Sequence, residues 1–220
     1  KLNGTVRVDK NQNFNALVSP AFSVVYTPSE NNFLRVSFSS ALRNPTLTDQ
    51  YLYLNVGPAI LSGNLNGAKD LITVESFVDF TEKLDKTKLQ YFNIAGVKPE
   101  KVKTLEVGYR TTLFNSTYVD GSYYYSRYND FLGYIIGIRS DFDPLNFFPR
   151  NTQAYRYAAN SVNQVTTQGF SIGVNHYFMD YYMFAVNYSW NKLNKLDVDD
   201  PIIPAFNTPE HKYNISLSGR

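Results

Sequence analysis

The chain has 220 residues, a formal net charge of +2 and charged side chains at only 18% of positions, so it carries no electrostatic footprint for nucleic acid. It contains no cysteine, which excludes a disulfide framework, a thiolate metal site and a cysteine nucleophile. Its 18 tyrosines and 16 phenylalanines suit surfaces where one end of a ring meets grease and the other meets water.

The opening KLNGTVRVDK is polar and strand-like, unlike a signal peptide, and reads as the middle of something longer. Period-two alternation predicts strands over 15–27 and 32–42, joined by the tight turn TPSENN. In the second strand Leu34, Val36 and Phe38 fall on one face and Arg35, Ser37 and Ser39 on the other, before RNPTLTDQY breaks the pattern. A long excursion over 43–101 follows, with one expected helix at 73–84, TVESFVDFTEKL. Strands over 102–114 and 116–137 meet at a turn on Asn115 and Ser116; the first sets Leu105, Val107, Tyr109, Thr111 and Leu113 against Glu106, Gly108 and Arg110.

A second excursion covers 138–163. Strands over 164–178 and 181–193 are then joined at Met179 and Asp180. The latter strand alternates most cleanly, with Tyr182, Phe184, Val186, Tyr188 and Trp190 against Met183, Ala185, Asn187, Ser189 and Asn191. A third excursion over 194–211 leads into a strand at 212–219, and the chain stops inside it.

Tight and long connections thus alternate, and antiparallel order collects the long ones at one end. Loops of that length count against a compact soluble domain, whereas a membrane barrel has short turns on one side and long loops on the other. The longest apolar run, FLGYIIGI at 131–138, is far short of the roughly 20 residues a spanning helix needs. From Tyr182 to Trp190, eight steps of about 3.3 Å at a tilt near 45° rise about 19 Å, comparable with an apolar band of about 25 Å rimmed by aromatics. The expected fold is therefore all-β, an antiparallel transmembrane β-barrel segment. Seven strands cannot close a barrel of even count, and open edges are not tolerated in lipid, so a fragment of a larger barrel is expected.

Three segments carry a family resemblance: LRVSFSSALRNPTLTDQY at 34–51, VKPEKVKTLEVGYRTTLFNSTYVDGSYYYSRYNDFLGYI at 97–135, and TTQGFSIGVNHYF with FNTPEHKYNISLSGR at 166–178 and 206–220. In order and spacing they resemble the latter part of the barrel of a TonB-dependent outer-membrane receptor, and RNPTLTDQYLYLNVGPAIL resembles the Bacteroidetes type. The resemblance implies a 22-stranded barrel around a plug, of which this chain supplies about seven strands, with the plug domain and final strand absent. It implies energised import of a scarce siderophore, glycan, peptide or cofactor. The implied partners are the outer-membrane lipid bilayer, TonB through the missing plug region, the ligand, and in some receptors a surface lipoprotein. No cofactor is implied.

Among candidate residues, Arg35, Glu106 and Arg110 point to the lumen in this register, where they would contact plug or ligand, or form a cross-strand ion-pair ladder. Arg43, Pro45 and Gln50 sit at a loop base. The loop aromatics Tyr51, Tyr53, Phe147, Phe148, Tyr155 and Tyr157 would stack on a ligand or pack the loops together. SDFDP at 140–144 and DVDDP at 197–201 space carboxylates two apart but lack the closing bidentate Glu of a Ca²⁺ loop. His176 and His211 stand far apart with no metal motif, and no constellation supports an enzyme. A passive porin and a soluble β-sandwich carbohydrate-binding module are the rival readings.

Overall fold

A computed structural model describes residues 1–179, 181–195, 202–204 and 207–219. In chain order the strands are β1 Leu2–Asp9, β2 Leu17–Ser29 and β3 Asn32–Arg43, then helix α1 Leu47–Tyr51, β4 Tyr53–Asn55, β5 Ala59–Ser62 and β6 Ala68–Ile72. Helix α2 Val74–Lys83 and a 3₁₀ turn Lys86–Lys88 precede β7 Tyr91–Ile94 and β8 Glu100–Leu113. The chain continues through β9 Thr117–Asn129, β10 Leu132–Phe142, β11 Pro149–Asn160, β12 Val165–Phe178, β13 Tyr182–Lys195, β14 Ile203–Pro204 and β15 His211–Gly219.

Two sheets divide these strands. The larger has eight, in the order β1-β2-β3-β8-β9-β12-β13-β15, and every described pairing in it is antiparallel. Its register lines the alternating residues into rows that cross the whole sheet. Val24, Val36, Val107, Tyr123, Phe170 and Trp190 lie side by side on one face. One residue along, Val25, Arg35, Gly108, Ser122, Ser171 and Ser189 line up on the other. The apolar face is uncovered: Phe22 is 48% exposed, Leu105 51% and Phe170 40%. A sandwich would bury such a face under a second sheet; among the described residues none lies on it.

The apolar rows have defined edges. Toward the loops, Lys103 and Arg127 are register partners that point the same way as Leu105 and Tyr125. Toward the turns, His176, Phe178 and Tyr182 share that face, with Phe178 stacked on His176 at 6.0 Å and on Tyr182 at 5.6 Å between ring centres. Rings at such a rim meet apolar and aqueous surroundings together.

The short turns all lie at one end. The turn between β8 and β9 is closed by the Ser116 N–H on the Leu113 carbonyl at 3.2 Å. Phe114 and Asn115 both take positive φ, 52° and 57°, the backbone of a primed hairpin turn that matches strand twist. Its centre is Phe114–Asn115, one residue before the pair the sequence suggests.

The structure revises the expected element list in three places. The opening segment is a full strand, so the barrel sheet holds eight strands, one more than the alternation predicts. The expected strand over 116–137 is two strands, because Asp130 takes a left-handed φ of 55° and turns the chain out of the barrel sheet. Beyond it FLGYIIGI stops alternating because most of the run is buried, with Phe131 at 4% exposure, Leu132 at 2% and Ile135 at 7%, while Ile136 stays 41% exposed.

The third revision concerns the excursions, which fold together. Strands β4, β5, β6 and β7 come from the first excursion, β11 from the second and β14 from the third, while β10 begins in the expected strand and runs into the second excursion. They form one seven-stranded sheet, ordered β4-β5-β11-β10-β6-β7 with β14 on β10. Strand β5 runs parallel to β11, Ala59 opposite Ala154, although 94 positions of chain separate them. The loop sheet has its own core of Ala68, Leu71, Ile135, Tyr157, Ala159 and Ile202.

The expected helix forms as α2. Thr73 caps its N-terminus, accepting from the Ser76 N–H, and Leu84 at φ 51° ends it. Phe80, wholly buried, docks it edge-to-face on Phe142 at 5.1 Å between ring centres. Among the described residues no helix is long and apolar enough to cross a membrane.

Candidate functional site

The polar face of the large sheet brings the three sequence-expected charges into cross-strand pairs. Arg35 on β3 pairs with Glu106 on β8, and Arg110 on β8 pairs with Asp120 on β9 at 3.3 Å. These side chains are half or more solvent-exposed except Glu106, so each pair contributes about 0–1 kcal/mol. Neutral pairs extend the pattern: Tyr124 OH donates to Asn191 Oδ1 at 2.8 Å, and Ser122 and Ser171 hydroxyls meet at 2.9 Å. A groove of about 620 Å³ runs over this face, bordered by Arg110, Asp120, Asn187, Lys212 and Asn214. Opposite charges already paired across strands hold their positions in water and leave both signs facing the groove.

At the loop end the RNPTLTDQY segment forms a fastened base. Thr46 and Asp49 make a reciprocal capping box at the start of α1. Gln50, 5% exposed, donates to the Pro45 carbonyl at 2.7 Å, and its Oε1 accepts from Asn13 at 2.6 Å. Glu100, first residue of β8, is also nearly buried; its Oε2 accepts the Leu132 N–H at 2.9 Å and lies 3.9 Å from Arg43. Lys101 and Lys103 follow it, so Glu100 lies beyond the apolar rows on the loop side. Burial pushes its carboxyl above the ordinary carboxylate range, opposed by the Leu132 N–H and by Arg43.

The six loop aromatics divide. Tyr53 is 71% exposed, Tyr51 57%, Phe148 55% and Phe147 43%. Tyr51 OH also accepts from Asn13 at 2.6 Å, and the Lys86 ammonium sits 4.5 Å over the Phe147 ring. Tyr155 is half-buried and stacks on Tyr157 at 5.6 Å. Tyr157 follows the packing alternative: at 7% exposure it belongs to the loop-sheet core, and its burial pushes the phenol up.

The SDFDP carboxylates are likewise committed. Asp143 Oδ2 pairs with Arg150, and Oδ1 accepts the Leu145 N–H at 2.8 Å. DVDDP lies outside the described residues. Among the described residues no group of His, Asp and Glu is placed to hold a metal.

Two residues that alternation does not reveal hold the loop sheet together. Asn64 Nδ2 donates to the carbonyls of Ala95 and Ala158 at 2.8 and 2.9 Å. Asn160 donates to Lys98 and Asp130 carbonyls at 2.9 and 2.6 Å and accepts from the Lys98 N–H at 2.7 Å. The buried Asn64 and the half-buried Asn160 each join backbone segments far apart in the chain. A polar residue inside a loop carries no period, so no sequence pattern marks either.

The chain belongs to the family described as TonB dependent receptor-like, beta-barrel, whose family model matches residues 1–219. This is an outer-membrane family of receptors and transporters, not of enzymes. The fold is similar to that of the FrpB iron transporter from Neisseria meningitidis, with a TM-score of 0.55, 17% identity, and coverage of 94% of this chain and 25% of that one. The siderophore receptor PirA from Pseudomonas aeruginosa gives a TM-score of 0.56 at 13% identity, covering 88% of this chain and 31% of that one. The hemophore receptor HasR of Serratia marcescens, solved with its hemophore HasA and heme, gives 0.58 at 11% identity over 100% of this chain and 37% of that one. The chain therefore spans between a quarter and two fifths of the length of these structures. No curated protein sequence matches it.

Proposed function

We propose that this chain forms barrel wall and outward loops of an outer-membrane importer that takes up a scarce ligand with energy delivered through TonB. The observation that carries this reading is a single sheet, apolar on one face and polar on the other, whose long connections all leave one end and fold there into a second sheet. The apolar face suits acyl chains; the polar face suits a wet or plugged lumen lined by Arg35, Glu106 and Arg110. The loop sheet stands where an external ligand arrives, with Tyr51, Tyr53, Phe147 and Phe148 at its surface. The similar structures are an iron transporter, a siderophore receptor and a hemophore receptor; an iron-bearing ligand is the first class to assay. The decisive experiment compares ligand uptake by cells with and without TonB. Uptake should collapse on deletion while surface binding persists. Uptake indifferent to the deletion would assign the polar face to passive diffusion.

A further inference from the structure

Among the described residues, Arg7, Arg35, Arg43, Arg110 and Arg150 each face a carboxylate, whereas Arg127, Arg139 and Arg156 do not. Arg127 points outward at the edge of the apolar rows, and Arg139 is exposed beside Tyr155. Arg156 differs from both. It is half-buried on β11, with its guanidinium carbon 4.4 Å from the centre of the Tyr134 ring, and its Nε is buried without a hydrogen-bond acceptor. Buried donors on charged groups are normally paired, because leaving one unmade forfeits its hydration.

No acceptor around it is hydrogen-bonded to the Arg156 Nε. Arg156 borders a cavity of about 240 Å³ whose walls include Thr48, Asp49, Leu61, Ser62 and Tyr134. Asp49 is the acid in that wall, but its Oδ2 accepts the Thr46 N–H at 2.8 Å and the Thr46 hydroxyl at 2.7 Å as part of the α1 cap. The Ser62 hydroxyl donates to the Gly63 carbonyl at 3.0 Å, and that of Thr48 is shared with Thr46 at 2.7 Å. The Tyr134 ring fixes the guanidinium by a cation–π contact that uses none of its N–H groups. The cavity is thus bordered by a cation that the Tyr134 ring positions and that no carboxylate of the chain neutralises within ion-pair distance among the described residues.

We propose that this cavity is an oxyanion subsite in which Arg156 takes a carboxylate or phosphate group of the ligand. The guanidinium fork matches either group through paired, charge-assisted hydrogen bonds. The inference rests on the importer reading only in assigning the anion to the transported ligand.

The test uses the full-length receptor in detergent, with heat-modifiable gel mobility to establish that each variant is folded. Citrate and inorganic phosphate are titrated separately by calorimetry into wild type, Arg156→Gln and Arg156→Lys. One or both anions should bind saturably, with the responding arm naming the group. Arg156→Gln should weaken binding about tenfold or more, and Arg156→Lys, which keeps the charge and loses the fork, by a smaller factor. Should Arg156→Gln not fold, Arg156→Lys decides, and affinity equal to wild type overturns the proposal. So does Arg156-independent binding, or no saturable binding of either anion to wild type. Binding is read without energy coupling. Arg156-dependent binding in a receptor lacking TonB-dependent uptake keeps the subsite and overturns the importer reading; TonB-dependent uptake with Arg156-independent binding does the reverse.

Discussion

Glu100 accepts the Leu132 N–H at 2.9 Å, so the first residue of β8 grips the first residue of β10. That one bond ties the barrel sheet to the loop sheet where the chain turns at Asp130. Glu100→Ala should leave the Leu132 donor unmet at a buried site, a cost of about 1–3 kcal/mol. Amide exchange read at Leu132 should accelerate accordingly. Unchanged exchange there would remove Glu100 from the junction.

The same residue sets a pH dependence. Its carboxyl is raised in the folded state, first by burial. Its contribution to stability is therefore complete below the unfolded value of about 4.3 and is lost as pH rises through the raised value. The melting temperature of the loop sheet should fall as pH rises through that interval in wild type and show a flatter profile in Glu100→Gln. Identical profiles in the two proteins would contradict the assignment.

Phe80 is the side chain that fixes α2 to the loop sheet, wholly buried and edge-on to Phe142. Phe80→Ala should cost about 3–5 kcal/mol locally. Limited proteolysis should then release cleavage within the Val74–Lys83 helix while the barrel strands stay protected. Resistance equal to wild type would show that the helix is held by other contacts.

The connections at the loop end should be reachable from outside the cell only at their tips, because much of their length is folded into the strands and helices of the loop sheet. Protease added to intact cells should cut near Leu145, 92% exposed in the hairpin between β10 and β11. It should spare Glu30–Asn31 and Phe114–Asn115. Cleavage at those short turns with Leu145 protected would invert the topology.

The barrel sheet was legible because its information is local: Val36 and Phe38 alternate with Arg35 and Ser37 whatever lies beside them, and eight such strands pair in chain order. The pairing of Arg35 with Glu106 follows once β3 and β8 are set in register. The loop sheet was not legible. Ala59 lies beside Ala154 through contacts that no short-range period encodes, and strands of three to five residues are too brief to show one. Tyr157 reads like Tyr155 in sequence, and only the fold places Tyr157 inside the cluster of Leu71 and Ile135 with Tyr155 half-buried against it. Arg156 is distinguished by a missing partner, which only a structure can reveal.

The central claim is that β13 lies against lipid on one side and the lumen on the other. Val186 and Asn187 are adjacent on that strand and pair with Val174 and Gly173 on β12, so their side chains take opposite faces. An arginine at a lipid-facing mid-depth position costs about 2–4 kcal/mol, while lumen positions tolerate charge. Folding into bilayers should thus be impaired strongly by Val186→Arg and weakly by Asn187→Arg. The direct measurement places a fluorophore at 186 or at 187 in the assembled full-length protein and adds quenchers embedded in the bilayer core. Quenching at 186 and not at 187 is the predicted result; no quenching at either position would contradict the barrel.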